Sequence, residues 1–215
     1  MKKHIIVLIL ATIGLSSCKK DSKSTPNSVN KLTLDSAKKK PSIYTQYTYT
    51  DSVGKSLIIQ NSFPKGGTKY TDPNGEVYVY AVFWTRISNE TNNPLELKIN
   101  FPLDSYQIPS LPNEYFKIVV PSETMTVDKE ALFNYGLKDL ESLLDNNIHK
   151  SSSLKRTIKP KESHGFYVVL LSPINGAHGT LRTGFSLKGQ NLFYKINDKE
   201  IPSGSINLTN LTLKK

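Results

Sequence analysis

The strongest nucleophile in the chain is the thiol of Cys18, and it is the sole cysteine. One thiol builds neither a disulfide framework nor a multi-cysteine zinc or iron–sulfur site. Beyond His4, the histidines are His149, His164 and His178, spaced 15 and 14 residues apart. That spacing fits no short metal-ligand pattern, and neither HExxH nor an EF-hand loop is present, so no metal and no cofactor is expected. Gly184-Phe185-Ser186-Leu187-Lys188 lacks the final glycine of a nucleophile elbow and lies in a strand pattern. Lys65-Gly66-Gly67-Thr68-Lys69 lacks the spacing and the following helix of a phosphate loop and reads as a hairpin turn. Asp128, Glu130, Asp139, Glu141 and Asp145 read as the solvated face of a helix, not as an acid/base pair. No catalytic constellation emerges, and the expectation is a protein that is not an enzyme.

The surroundings of Cys18 are more informative. Lys2 and Lys3 form a positive start, and Ile5 to Ile13 is apolar but too short to span a bilayer, which takes about 20 residues. Leu15-Ser16-Ser17-Cys18 then resembles the lipobox of bacterial lipoproteins. The resemblance implies a signal peptide over 1–17, cleavage before Cys18, and a diacylglyceryl thioether with further acylation (palmitate-type chains) on that residue. Each buried CH₂ adds about 0.8 kcal/mol and one chain holds only marginally, so two or three chains make a stable anchor. Enteric lipoproteins retained at the inner membrane carry Asp after the cysteine; Lys19 stands there in this chain. The overall plan, a short lipid signal before a Lys/Asn/Thr-rich β domain, resembles lipoproteins of Bacteroidota. The expected location is the cell envelope, at the outer membrane, with periplasmic and surface faces both open.

Residues 18–41 are rich in Lys, Ser, Thr and Asn and poor in apolar side chains, which predicts a flexible basic tether. The formal net charge of the whole chain is +10, from 28 basic and 18 acidic residues. Without Lys2 and Lys3 it is +8, and residues 18–40, with seven Lys and two Asp, hold five of those charges. The basic character thus belongs to the tether and not to a folded face, which argues against nucleic acid as a partner.

From residue 42 to 215 the apolar period is two. Leu95-Glu96-Leu97-Lys98-Ile99-Asn100-Phe101 alternates without a break, and Glu76 to Ser88 is apolar on both faces as far as Arg86. The polar run Asn89 to Pro94 between them predicts a hairpin. Asp72-Pro73-Asn74-Gly75 is a strong turn signal. Further strands are expected at Ile43–Thr50, Ser56–Ser62, Tyr115–Val120, Leu154–Ile158, Gly165–Ser172, Thr180–Leu187, Asn191–Ile196 and Ser205–Leu213. The fold class is therefore mainly β, an antiparallel sandwich. Leu132, Leu137, Leu140, Leu143 and Leu144 fall at helical spacing, which predicts one inserted amphipathic helix over about 128–146, or two short ones broken at Gly136, with Asp128 as N-cap. The runs Ile158-Lys159-Pro160-Lys161-Glu162-Ser163 before Gly165-Phe166-Tyr167-Val168-Val169, and VFWTRISNETNNPLELKINF, resemble bacterial immunoglobulin-like (Ig-like) domains. There a proline-containing turn hands an edge strand to a core strand.

On the long central strand, Tyr78, Tyr80, Trp84 and Arg86 share one face, as do Val77, Val79, Ala81, Phe83 and Ile87 on the other. If open, the aromatic face is suited to stacking on sugar rings or anchoring a protein; if covered, it packs under the leucine-rich segment with only Arg86 reaching water. Two functional readings follow. The preferred one is a lipid-anchored, non-enzymatic binding or structural module that meets an envelope protein or a glycan. The alternative is an envelope hydrolase or hydrolase inhibitor, which requires a pocket in which His149, His164 or His178 meets a serine or carboxylate.

Overall fold

The computed structural model describes residues 42–109, 111–176 and 179–208. The expected signal segment 1–17, Cys18, the tether 18–41, His178 and the chain beyond Leu208 lie outside the described residues. What is described is mainly β, in two antiparallel sheets. One sheet holds β1 (Ile43–Thr50), β2 (Ser56–Ser62), β3 (Lys65–Thr71), β4 (Val77–Asn89), β6 (Tyr106–Gln107), β7 (Tyr115–Val119) and β9 (Ser163–Pro173). Its order is β1-β2-β4-β9-β7-β6, with β3 also paired to β4. The other holds β5 (Leu95–Phe101), β8 (Ser152–Ile158), β10 (Thr183–Lys188), β11 (Asn191–Ile196) and β12 (Lys199–Asn207), in the order β10-β11-β12-β5-β8.

The sheets face each other across one apolar core. Leu57, Ile59, Phe83, Ile87, Phe166 and Val168 come from the seven-stranded sheet, and Leu95, Leu97, Ile99, Phe101, Phe185 and Tyr194 from the five-stranded one. β5 buries alternate residues only, because its other face is wet, as its sequence alternation requires. β4 is buried on both faces over most of its length.

The expected β4–β5 hairpin does not form. A strand has two edges, and both edges of β4 are taken: β2 and β3 pair along one and β9 along the other. Asn89 to Pro94 instead arches from one sheet to the other, and Lys159 to Glu162 makes a second arch from edge strand β8 to β9. Asn89, fully buried, ties the two arches together. Its side-chain amide donates to the carbonyls of Asn93 (2.8 Å), Ile158 (3.0 Å) and Lys159 (3.1 Å), and its Oδ1 accepts from the Thr91 hydroxyl at 2.6 Å. The backbone of Asn89 bonds Glu162 and Lys161 on the second arch.

At the β1–β2 edge a second amide joins the sheets. Asn61 on β2 accepts from the Phe185 N–H (2.9 Å) and donates to the Phe185 carbonyl (3.0 Å), as a neighbouring strand would. A Cβ at Gly184 would stand 2.8 Å from this amide, so the approach requires glycine there. The Tyr49 hydroxyl accepts from the Leu187 N–H at 2.7 Å beside it.

Two further expectations change. Lys65-Gly66-Gly67-Thr68-Lys69 is not a hairpin turn but the start of β3, with a bulge between Gly66 and Thr68 that positive φ at Gly66 and Gly67 makes possible. In place of one helix or two short ones over 128–146 the segment forms two 3₁₀ turns, Val127–Ala131 and Phe133–Gly136, and an eight-residue helix α1 (Leu140–Asn147). Thr126, not Asp128, occupies the first cap position. The turn Asp72 to Glu76 forms as expected, with Gly75 at φ +89°.

Asn89→Ala leaves three carbonyls of the arches short of a donor, and is expected to lower the unfolding free energy by about 2–4 kcal/mol in urea titration. An unchanged midpoint would show that the arches hold without this amide.

Candidate functional site

The residues set out above as possible ligand contacts lie on the outer face of the seven-stranded sheet, and that face is covered. Residues 121–149 fold over it and close a second core of Tyr70, Tyr78, Val82, Trp84, Tyr167 and Val169 beneath Met125, Tyr135, Leu137, Leu144 and Ile148. Trp84 has no exposed surface, Tyr78 is 7% and Tyr80 9% exposed. The aromatic stripe is therefore packing. Burial of each such side chain contributes about 1.5–3 kcal/mol, which a strand facing water on this side would forgo. Arg86 is half-buried and does not point freely to solvent: its guanidinium donates to Glu130 Oε1 at 2.9 Å and lies over the Trp84 ring at 4.9 Å.

The covering segment is held by polar links as well as by its apolar side. Glu130 also accepts from the Ser42 hydroxyl at 2.5 Å, and the Lys65 ammonium donates to the carbonyls of Glu130 and Leu132, each at 2.7 Å. Asp145 accepts from the Tyr70 hydroxyl at 2.7 Å, and burial together with that carboxylate raises the Tyr70 pKa. Glu130, half-buried, thus faces the sheet, contrary to the solvated face expected for it, whereas Asp145 bonds Tyr70 from an exposed position. The Met125 N–H bonds the Gly165 carbonyl at 3.0 Å, and a Cβ at Gly165 would come within 2.3 Å of the Met125 carbonyl.

Tyr135 fixes the middle of the segment. Its ring meets Trp84 edge-on at 6.3 Å and carries the Lys65 ammonium 4.2 Å from its centre. Its hydroxyl donates to the Phe63 carbonyl (2.7 Å) and its own carbonyl accepts from the Tyr167 hydroxyl (2.8 Å). Asn134, Tyr135 and Gly136 all have left-handed backbone, with φ of 46°, 56° and 70°. For tyrosine that conformation costs about 1–2 kcal/mol, and the buried ring and its two hydrogen bonds offset it. This reversal is what breaks the leucine periodicity into separate turns.

One histidine meets a carboxylate. His149 Nε2 is 2.8 Å from Asp72 Oδ2 and 3.2 Å from Asn74 Nδ2, pinning the end of the segment to the β3–β4 turn. The Asp72 side chain is fully buried while His149 is nearly half exposed. Burial alone would raise the Asp72 pKa. Hydrogen bonds from the backbone of Glu76, from His149 and from the backbone of Asn74 outweigh it and hold the carboxyl below its usual value. Neither residue lines the cavity at the β3 bulge described below, nor the cavities beside Ser142, Asn175, Asn113 and Asp198. His164, on β9, is lowered by burial and by Arg156. Ser186 is buried in β10, its hydroxyl 3.4 Å from Glu200. Among the described residues no group of three or more His, Cys, Asp or Glu is placed to hold a metal ion. A mostly apolar cavity of about 230 Å³ opens at the β3 bulge, lined by Lys65, Gly66, Tyr80, Ala81 and Leu181 among others. It was not visible in the sequence, because its walls come from three separate strands and a loop. No helix among the described residues is long and apolar enough to cross a membrane. Compared with known families, with curated proteins and with solved structures, the chain matches none.

Trp84 is the single tryptophan, so its fluorescence reports on the covering segment. Gly165→Ala is expected to shift its emission to the red and to admit acrylamide, with a loss of about 2–4 kcal/mol in stability from the forced contact. The Asp72 carboxyl, depressed in the folded state, adds stability that is present above the unfolded-state pKa of about 4 and is lost as pH falls through the folded value. Urea midpoints of the wild type should accordingly fall more steeply below pH 4 than those of Asp72→Asn; parallel curves would exclude the contribution.

Proposed function

We propose that the protein is a lipid-anchored envelope lipoprotein whose body serves as a non-enzymatic binding or structural module. The observation that carries this reading is the run from the apolar Ile5–Ile13 to Leu15-Ser16-Ser17-Cys18, in which the sole cysteine of the chain stands where a lipobox requires it. In this reading residues 1–17 are removed, Cys18 takes the acyl chains, residues 18–41 are the tether, and the outer membrane is the site of attachment. The body is an Ig-like sandwich with an inserted cap, a reading supported by two facing antiparallel sheets and by the two arches that pass between them. The partner class is an envelope protein or a glycan, met by surfaces other than the covered Tyr78, Tyr80 and Trp84.

The alternative, an envelope hydrolase or hydrolase inhibitor, has one observation in its favour, the His149–Asp72 pair at 2.8 Å. The two readings part on experiment. Cys18→Ala should convert a membrane-bound, acylated protein into a soluble or unprocessed one, read by fractionation and by the mass of the amino-terminal peptide. A correctly cleaved Cys18→Ala protein that still sediments with membranes would defeat the anchoring reading. Turnover of a generic ester or glycoside, abolished by His149→Ala, would replace the non-enzymatic reading with the hydrolase one.

A further inference from the structure

The largest exposed apolar side chains of the body are not scattered evenly. Phe133 is 73% exposed and Leu132 52%, on the covering segment; Phe63 and Tyr44 are 39% and 40% exposed beside them. The stretch Phe63 to Lys65 links the two pairs. The Phe63 carbonyl accepts from Tyr135, Lys65 holds the Leu132 carbonyl, and the Tyr44 and Phe63 rings lie 5.4 Å apart. Single exposed apolar residues are ordinary, but neighbours of this size on one face mark an interaction surface. The charge around them is basic. The Arg182 guanidinium covers both Tyr44 (5.6 Å) and Phe63 (5.3 Å), and Lys65 lies between the pairs. Glu130 of the covering segment is neutralised by Arg86 and bonded by Ser42.

This face is also where the chain enters the body. Ser42 bonds Glu130, its carbonyl accepts from the Phe63 N–H, and Tyr44 follows two residues on. From Cys18 to Ser42 is 24 residues, a root-mean-square reach of roughly 25–30 Å for a flexible chain of that length. A bilayer holding Cys18 would therefore meet this face at a local concentration on the order of millimolar, without any further recruitment.

We propose that the Tyr44, Phe63, Leu132 and Phe133 face docks on the membrane surface, with the aromatic and leucine side chains at the headgroup boundary and Arg182 against acidic headgroups. Rings beside cations on a rigid support are the composition that favours an interfacial position. The inference rests on the anchoring reading above. Docking would hold the body flat against the bilayer with the β1–β2 turn pointing away.

The test uses the full-length acylated protein in vesicles that contain phosphatidylglycerol, with a polarity-sensitive dye on a single introduced thiol. Phe133→Cys reports on the face. Val53→Cys, in the β1–β2 turn and 71% exposed, is the control, since eight residues of strand place it about 25 Å along β1. The expected result is blue-shifted emission at position 133, quenched by lipids carrying doxyl groups, and water-like unquenched emission at position 53. Equal, water-like emission at both positions in an acylated protein overturns the docking face alone. A preparation without the acyl mass overturns the anchoring reading, and with it the reason for choosing this face. A dye shielded from water but unquenched by doxyl lipids, in a protein that cross-links to a second copy, assigns the face to self-association and overturns the lipid assignment.

Discussion

The constraint on which the architecture depends is that β4 is apolar on both sides. A thirteen-residue strand with Phe83 and Ile87 on one face and Tyr78, Val82 and Trp84 on the other cannot leave either face in water. The five-stranded sheet satisfies the first face. Nothing in a two-layer sandwich satisfies the second, so the chain supplies a third layer from residues 121–149. The body is thus two cores sharing one sheet, and β9, paired with β4 along eleven residues and buried on both faces over Phe166–Leu171, follows the same demand.

The two sheets are joined by side chains acting in place of backbone. Asn61 presents a donor and an acceptor to Phe185 with the spacing of a peptide unit, and Asn89 does the work of a bridging loop between two arches. At the opposite edge the Tyr106 hydroxyl lies 2.9 Å from the carbonyls of Ile196 and Lys199, and burial pushes its pKa up to about 12. These groups are buried, so each is costly if left unpaired and specific when paired. Apolar burial supplies the drive to stack the sheets; the amides and the phenol decide at which register they stack. Asn89 also lies in a glycosylation sequon, yet its complete burial makes it a structural residue.

Much of the strand order along the chain was legible in the sequence, because a period of two survives any tertiary arrangement. β1, β2, β5 and β11 fall on the expected boundaries, and the long strand at Glu76–Ser88 appears as β4, shifted by one residue. Pairing was less legible. The polar run Asn89 to Pro94 has the composition of a hairpin loop, and composition does not record that both edges of β4 are already occupied. β3 was missed because two glycines read as a turn, when they serve a bulge. The covering segment is apolar and leucine-rich in the sequence, but its spacing suggests one helix or two short ones in place of two 3₁₀ turns and a helix. Only the tertiary demand on Tyr135, whose ring must reach Trp84 and whose hydroxyl must reach Phe63, explains a left-handed reversal there. Of the residues singled out on the aromatic stripe, sequence gave the shared face correctly; whether that face met solvent or a layer depended on a segment more than forty residues away.

The same reversal separates what folding explains from what it does not. Turning the chain at Asn134 to Gly136 sends Tyr135 inward and leaves Leu132 and Phe133 on the outside. The inward residue is accounted for by its ring packing, its two hydrogen bonds and the cation above it. The outward residues bury less: Leu132 is 52% and Phe133 73% exposed. Phe63 and Tyr44 differ only in degree, since Arg182 covers part of each. Leu132 and Phe133 therefore belong to the surface that the reversal presents, as Tyr135 belongs to the core that it closes.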